Sequence, residues 1–140
     1  MVLEQKSRNR RMVSLDGQGS VIITLPLEHQ GQGLPVLIEE TVTERLSAAL
    51  AYAGWVLEHI DPRQRLSHVV IAARIAGADH SAWRTQREHG ANPNSMSIPF
   101  GQDGRHPVHL EPPHRTRAAF RLDAGRLVED FVVLLRRQWR

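Results

Sequence analysis

Between Val36 and Ile60, apolar residues recur at intervals of three and four: Val42, Leu46, Ala49, Leu50, Ala53, Leu57 and Ile60. That spacing lines one face of an α-helix, while Glu39, Glu40, Glu44 and Arg45 fall elsewhere around the cylinder. An amphipathic helix draws most of its stability from whatever covers its apolar stripe, so the rest of the chain must supply an apolar surface. The pattern predicts a helix over 36–60. Pro35 suits its first turn, where a missing N–H would have had no partner, and Asp61-Pro62 stops it.

The cover comes from β-rich runs and a second helix. "RMVSLDGQGSVIITLPL" places two such runs around Asp16-Gly17-Gln18-Gly19, whose glycines allow a hairpin turn, so strands are predicted at 11–15 and 20–27. "HVVIAARIA" (68–76) is β-branched and almost uniformly apolar, the composition of a central strand covered on both sides. Short strands are expected at 82–87 and 95–99, joined by long loops. "RTRAAFRL" (115–122) alternates, which predicts a half-buried strand with Arg115, Arg117 and Arg121 on its outer face. Asp123 then caps a helix whose Leu127, Val128, Phe131, Val132 and Leu135 form a stripe, with Arg136 and Arg137 complementing the dipole at its end. The fold class that follows is α+β: an antiparallel or mixed sheet of about five to six strands with the two helices packed on one face. Residues 1–10 read as a mobile basic tail and 11–140 as a single domain.

At 140 residues and 41% hydrophobic, the chain is long enough to fold as one domain without staples. It has no cysteine, which excludes disulfides, thiolate nucleophiles and thiolate metal sites, and agrees with a reducing, cytoplasmic compartment. No apolar run reaches the ~18 residues of a membrane span, so no membrane partner is expected. Lys6 is the only lysine among 18 basic residues, so a pI of about 10.5 coexists with a net charge of only +3. The charge is uneven: +3 over residues 1–12, −5 over 13–60 and +5 over 61–140.

Four groups of residues carry potential chemistry. His106, His109 and His114 are three imidazoles within nine residues and could hold a divalent metal. In an extended chain, however, positions three apart point to opposite faces, so His106 and His109 converge only if the Pro107 region turns, and a solvated Pro-rich loop is the favoured reading. Asp79-His80-Ser81 and Glu88-His89 set carboxylates beside imidazoles, but acid–base and nucleophilic chemistry needs convergence in space, and no known catalytic motif frames either group. Gly17 and Gly19, or Gly31 and Gly33, would cradle a phosphate only at a helix start. The first pair joins two strands, and the second precedes Glu39 and Glu40, which repel phosphate. No cofactor is expected. The arginines form the fourth group: Arg115, Arg117 and Arg121 on one strand face, Arg84 and Arg87 flanking Trp83, and Arg136, Arg137 and Arg140 around Trp139. Such groups can grip phosphates while the indoles stack on bases. Ordinary surface placement accounts for them as well.

The stretch "LEHIDPRQRLSHVVIAARIAGADHSAWRTQREHGANPNSMSIPF" adds a resemblance. Its "HIDPRQRL" turn, "AWRTQREH" and "PNSMS" segments, with the later "LVEDFVVLLRR" helix, resemble the C-terminal accessory region of actinobacterial proteins whose N-terminal part is a Schlafen AlbA_2-type DNA- or ATP-binding domain. The similarity spans residues 36–138 and carries no functional residue across. It implies an accessory module without the ligand-binding machinery of such proteins, either standing alone or detached from a longer chain. The residues and the resemblance together favour a non-catalytic accessory or regulatory domain that contacts itself or another protein domain. Nucleic-acid binding through the arginines is the alternative from another class, and a small His-based or metal-dependent enzyme is the third.

Overall fold

The computed structural model describes residues 2–4, 11–15, 20–27, 36–78, 81–91 and 106–139. Among the described residues, seven strands and four helices follow one another as β1 (Val2–Glu4), β2 (Met12–Leu15), β3 (Val21–Pro26), β4 (Val36–Ile38), α1 (Glu39–Ile60), β5 (His68–Ala76), β6 (Ala82–Arg84), α2 (Gln86–Ala91), β7 (Val108–Thr116), α3 (Arg117–Leu122) and α4 (Ala124–Arg137). The class is α+β. Strands pair in the order β2-β3-β1-β5-β7, and β4-β6 form a separate two-stranded sheet. β2 and β3 are antiparallel, with Met12 opposite Thr24 and Leu15 opposite Val21. β1 runs parallel to both β3 and β5, β5 and β7 are antiparallel, and β4 and β6 are parallel.

The apolar periodicity of α1 and α4 places the core. Val42, Leu46, Ala49, Leu50 and Val56 are buried on α1, and Leu127, Val128, Phe131, Val132 and Leu135 on α4. Alternate residues Ile71, Ala73 and Ile75 of β5 join Val42, Leu46, Leu50 and the five α4 residues in one cluster with Leu110 of β7 and Phe120 of α3. The two helices pack on each other, α1 also against β3, and α4 against β5 and β7. Among the described residues no helix is long and apolar enough to cross a membrane.

Several expectations need correction. Val2–Glu4 form a strand between β3 and β5 rather than the start of a tail; residues 5–10 lie outside the described residues. The helix predicted from 36 begins at Glu39, because Val36, Leu37 and Ile38 are extended, fully buried and paired with β6. Pro35, both glycine pairs and the strand expected at 95–99 lie outside the described residues. β5 has the predicted bounds but only one covered face: Val70 and Arg74 are exposed on the other. The segment predicted as strand 82–87 divides into β6 and α2.

The largest difference lies at 115–122. β7 already starts at Val108 and ends at Thr116, where the chain turns into α3. Pro112 and Pro113 sit within it because β7 is an edge strand and its register with β5 shifts between Val70 and Ala72, a position that spares the ladder the lost N–H groups. Thr116 is the helix cap here, its hydroxyl accepting from the Ala119 N–H at 3.1 Å. Asp123 does sit at the N-cap of α4 but makes no side-chain cap hydrogen bond.

Phe131 is fully enclosed, whereas Leu122 is 73% exposed. Phe131→Ala is expected to cost about 3–5 kcal/mol in urea unfolding, and Leu122→Ala to change stability by less than about 0.5 kcal/mol. Equal effects at the two positions would contradict the placement of the core.

Candidate functional site

The sequence-predicted sites disperse in the structure. Arg84 is buried on β6 and Arg87 exposed on α2. Arg115, on β7, turns its guanidinium back to donate to the carbonyls of Pro112 and His114. Arg117 and Arg121 belong to α3, so the common strand face on which a phosphate-binding surface depended does not exist. Arg136 is ion-paired with Glu39 at 2.9 Å. The indoles are likewise structural. Trp83 is buried and donates to Glu39 Oε1 at 3.1 Å, while Trp139 is buried and donates to the Ala78 carbonyl at 3.2 Å. Their rings lie 5.9 Å apart, centroid to centroid, inside the fold, where no base could stack on them.

His106, His109 and His114 are all exposed, His109 opposite Ala72 and His114 opposite Val70 on β5. Among the described residues no three His, Asp or Glu side chains are grouped to hold a metal. Glu88 and His89 belong to a helix start: the Glu88 carboxylate accepts from Thr85 N–H at 2.9 Å and the Thr85 hydroxyl accepts from Glu88 N–H at 3.1 Å. This reciprocal capping box consumes the carboxylate that a catalytic reading needed. Asp79 and His80 lie outside the described residues, and Ser81 is buried.

Two features the sequence reading missed are better candidates. One is the outer edge of β2. All four of its residues are exposed, and among the described residues β2 pairs only with β3. Antiparallel register puts Val13 on the same side as Ile23, which is buried, yet Val13 is 43% and Leu15 58% exposed. The apolar face that the helices cover over β3 therefore continues, uncovered, onto β2. Met12 and Ile22 are exposed on the opposite side.

The other is a groove of about 460 Å³ between α1, α3 and α4. Leu50, Phe120 and Val128 form its floor, and Gly54 of α1 lets the Phe120 ring come close: a Cβ there would stand 3.4 Å from it. Trp55, 55% exposed, stands at the rim. It continues an aromatic row along α1, with Tyr52 at 5.8 Å and His59 at 4.1 Å between ring centroids. His59 Nδ1 lies 2.9 Å from the Trp55 carbonyl, so that nitrogen carries the proton.

One end of the groove is fixed by a single ion pair. Arg117 donates to Asp61 Oδ2 at 2.7 Å and to the Leu57 carbonyl at 2.9 Å, tying α3 to the C-terminus of α1. Asp61 also accepts from the N–H groups of Leu66 at 2.8 Å and Arg65 at 3.0 Å. In the turn between, Gln64 adopts φ 52°, a left-handed conformation uncommon outside glycine, and it lines the groove. Donation from Leu66 N–H foremost, then from Arg65 N–H and the Arg117 guanidinium, holds the Asp61 carboxyl below its usual value of 3.8 against the opposing effect of desolvation.

No protein-family model, curated protein or solved structure matches this chain.

Because the folded pKa of Asp61 is depressed, its contribution to stability is complete above the unfolded value and is lost as pH falls through the lower folded value. Asp61→Asn should therefore lower the thermal midpoint at neutral pH, and the gap to the wild type should close as the pH drops below about 4. A gap that stays constant into strong acid would show that the carboxylate charge does not hold this turn.

Proposed function

We propose that this chain is a non-catalytic accessory domain that associates with a second copy of itself through the open edge of β2. The observation that carries the proposal is an uncharged, proline-free edge strand, Met-Val-Ser-Leu, exposed along its whole length. Soluble proteins commonly protect such an edge with lysine, proline or a covering element, because its free N–H and C=O groups template a further strand. None of these devices lies within Met12–Leu15.

A second copy fits the edge better than an arbitrary partner. Two β2 strands meeting antiparallel about a twofold axis perpendicular to the sheet set Val13 against Leu15 on the core side, with Ser14 against its own copy at the axis, so that the apolar pair from each copy covers the other. On this reading the strands in the order β2-β3-β1-β5-β7 act as one sheet that the second copy extends, and the uncovered continuation of the core face beyond Ile23 is closed. The resemblance proposed from sequence motifs over residues 36–138 to an accessory region of longer proteins accords with a contact role rather than a reaction, and the lack of cysteine suits a cytoplasmic setting. The dispersal of the arginines weakens the nucleic-acid alternative, whose geometric basis was a shared face.

Light scattering across about 1 µM to 1 mM should show the average mass rising above the 15.8 kDa of one chain. The double variant Val13→Lys, Leu15→Lys should remain at that mass throughout, with unchanged thermal unfolding at the dilute end because both side chains are exposed. A wild-type mass that stays at one chain over the whole range, or a double variant that associates as well as the wild type, would sink the proposal.

A further inference from the structure

The groove between α1, α3 and α4 is lined by two ionic side chains of opposite sign that have no partner. Arg117, at one end, is fully engaged by Asp61 and the Leu57 carbonyl. Glu58 on α1 and Arg121 on α3 are different: both line the groove and are exposed, and neither forms an ion pair or hydrogen bond among the described residues. The same groove is lined by apolar Leu50, Phe120 and Val128, with the Trp55 indole at the rim. One cation, one anion and an apolar bed are the complement of a small zwitterion with an apolar body.

From this we infer that the groove binds a free α-amino acid with an aromatic or large aliphatic side chain. The carboxylate takes the Arg121 guanidinium, whose planar fork matches its two oxygens. The ammonium takes Glu58, and the side chain lies on Leu50, Phe120 and Val128 beside Trp55. A volume of about 460 Å³ falls within the range of small-molecule sites. The charges also exclude simpler ligands. A plain carboxylic acid would leave Glu58 opposing it, and a plain amine would meet Arg121. The two protein charges do little for each other meanwhile, since exposed ion pairs are weak, so a ligand that offers both charges in fixed geometry competes easily. The surface is separate from β2, so binding here and self-association stand or fall independently.

Gly125 supplies a way to close the site without disturbing the fold. It lines the groove, and a Cβ added there meets nothing within 4 Å. L-phenylalanine titrated into the full chain, followed by tryptophan fluorescence, is the direct test: Trp55 responds while Trp83 and Trp139 are buried. Saturable binding is expected, weakened at least tenfold (about 1.4 kcal/mol) for phenylpropionate, which lacks the ammonium, and for phenethylamine, which lacks the carboxylate. Arg121→Gln, Glu58→Gln and Gly125→Leu should each weaken L-phenylalanine by a similar factor while keeping the wild-type circular dichroism. Absence of saturable binding up to about 10 mM, or phenylpropionate bound as tightly as L-phenylalanine, would overturn the inference. Binding unaffected by Gly125→Leu would do so as well.

Discussion

The burial of the α4 stripe against α1 and the inner face of β5 is the contact from which the rest of the architecture follows. Phe131 and Leu135 from one helix, Val42 and Leu46 from the other, and Ala73 and Ile75 from the strand exclude water together. Both helices depend on this contact, because an amphipathic helix in a protein draws most of its stability from the packing of its apolar face. Once the stripes meet, the starts and ends of the elements are fixed, and polar groups at those ends must find partners. Glu39, at the first turn of α1, accepts both the Trp83 indole N–H and the Arg136 guanidinium. It joins β6, α1 and the end of α4 at one carboxylate, and the bonds satisfy two donors that burial would otherwise penalise.

How much of this was legible in the sequence depends on how far each signal extends. Stripes of seven residues on α1 and five on α4 are long enough for a helical period to be unmistakable, and the β2–β3 pair is announced by two β-rich runs around glycines. Val36–Ile38 and Ala82–Arg84 are three residues each, too short for any period, and both are buried throughout, so no alternation marks them. Their pairing with each other is a tertiary fact that neither segment encodes alone. At 115–122 the alternation of arginine with apolar residues was compatible with either period, since Arg117 and Arg121 are also one helical turn apart. The deciding signal was Thr116, and the Thr85-x-x-Glu88 pattern gave the same kind of signal for α2; both are caps readable from sequence. The prolines at 112 and 113 hid β7, because a proline pair argues against a strand unless the strand is an edge.

Arginine is where sequence and structure diverge most, and the reason is physical. A guanidinium carries several donors at the end of a long stem, so it can reach across the fold and bind a carboxylate and a carbonyl at once. Arg117 reaches back to Asp61 and Leu57, and Arg136 reaches Glu39, each linking segments far apart in the chain. Side chains that read as a basic surface are partly spent as internal ties. The tryptophans follow the same logic, since Trp83 and Trp139 each bury a large ring while the indole N–H finds an acceptor. Composition reports how many such groups a chain has, but their partners decide whether any charge or ring is left for a ligand.

That distinction gives weight to what remains unspent. Single exposed apolar residues are ordinary on any protein surface, and Leu122 is one of these. Met12, Val13 and Leu15 are contiguous on one edge strand, and Tyr52, Trp55 and His59 follow one another along one helix face. In a chain that satisfies Trp83 and Trp139 inside the core, Trp55 stands half in water beside a groove in which Glu58 and Arg121 have no partner among the described residues. The folding of α1, α3 and α4 does not require that arrangement, because the exposed side chains of Glu58 and Arg121 take no part in the core. A groove that presents two unpaired charges of opposite sign beside an apolar lining is better explained by a ligand that takes up both than by the packing that surrounds it.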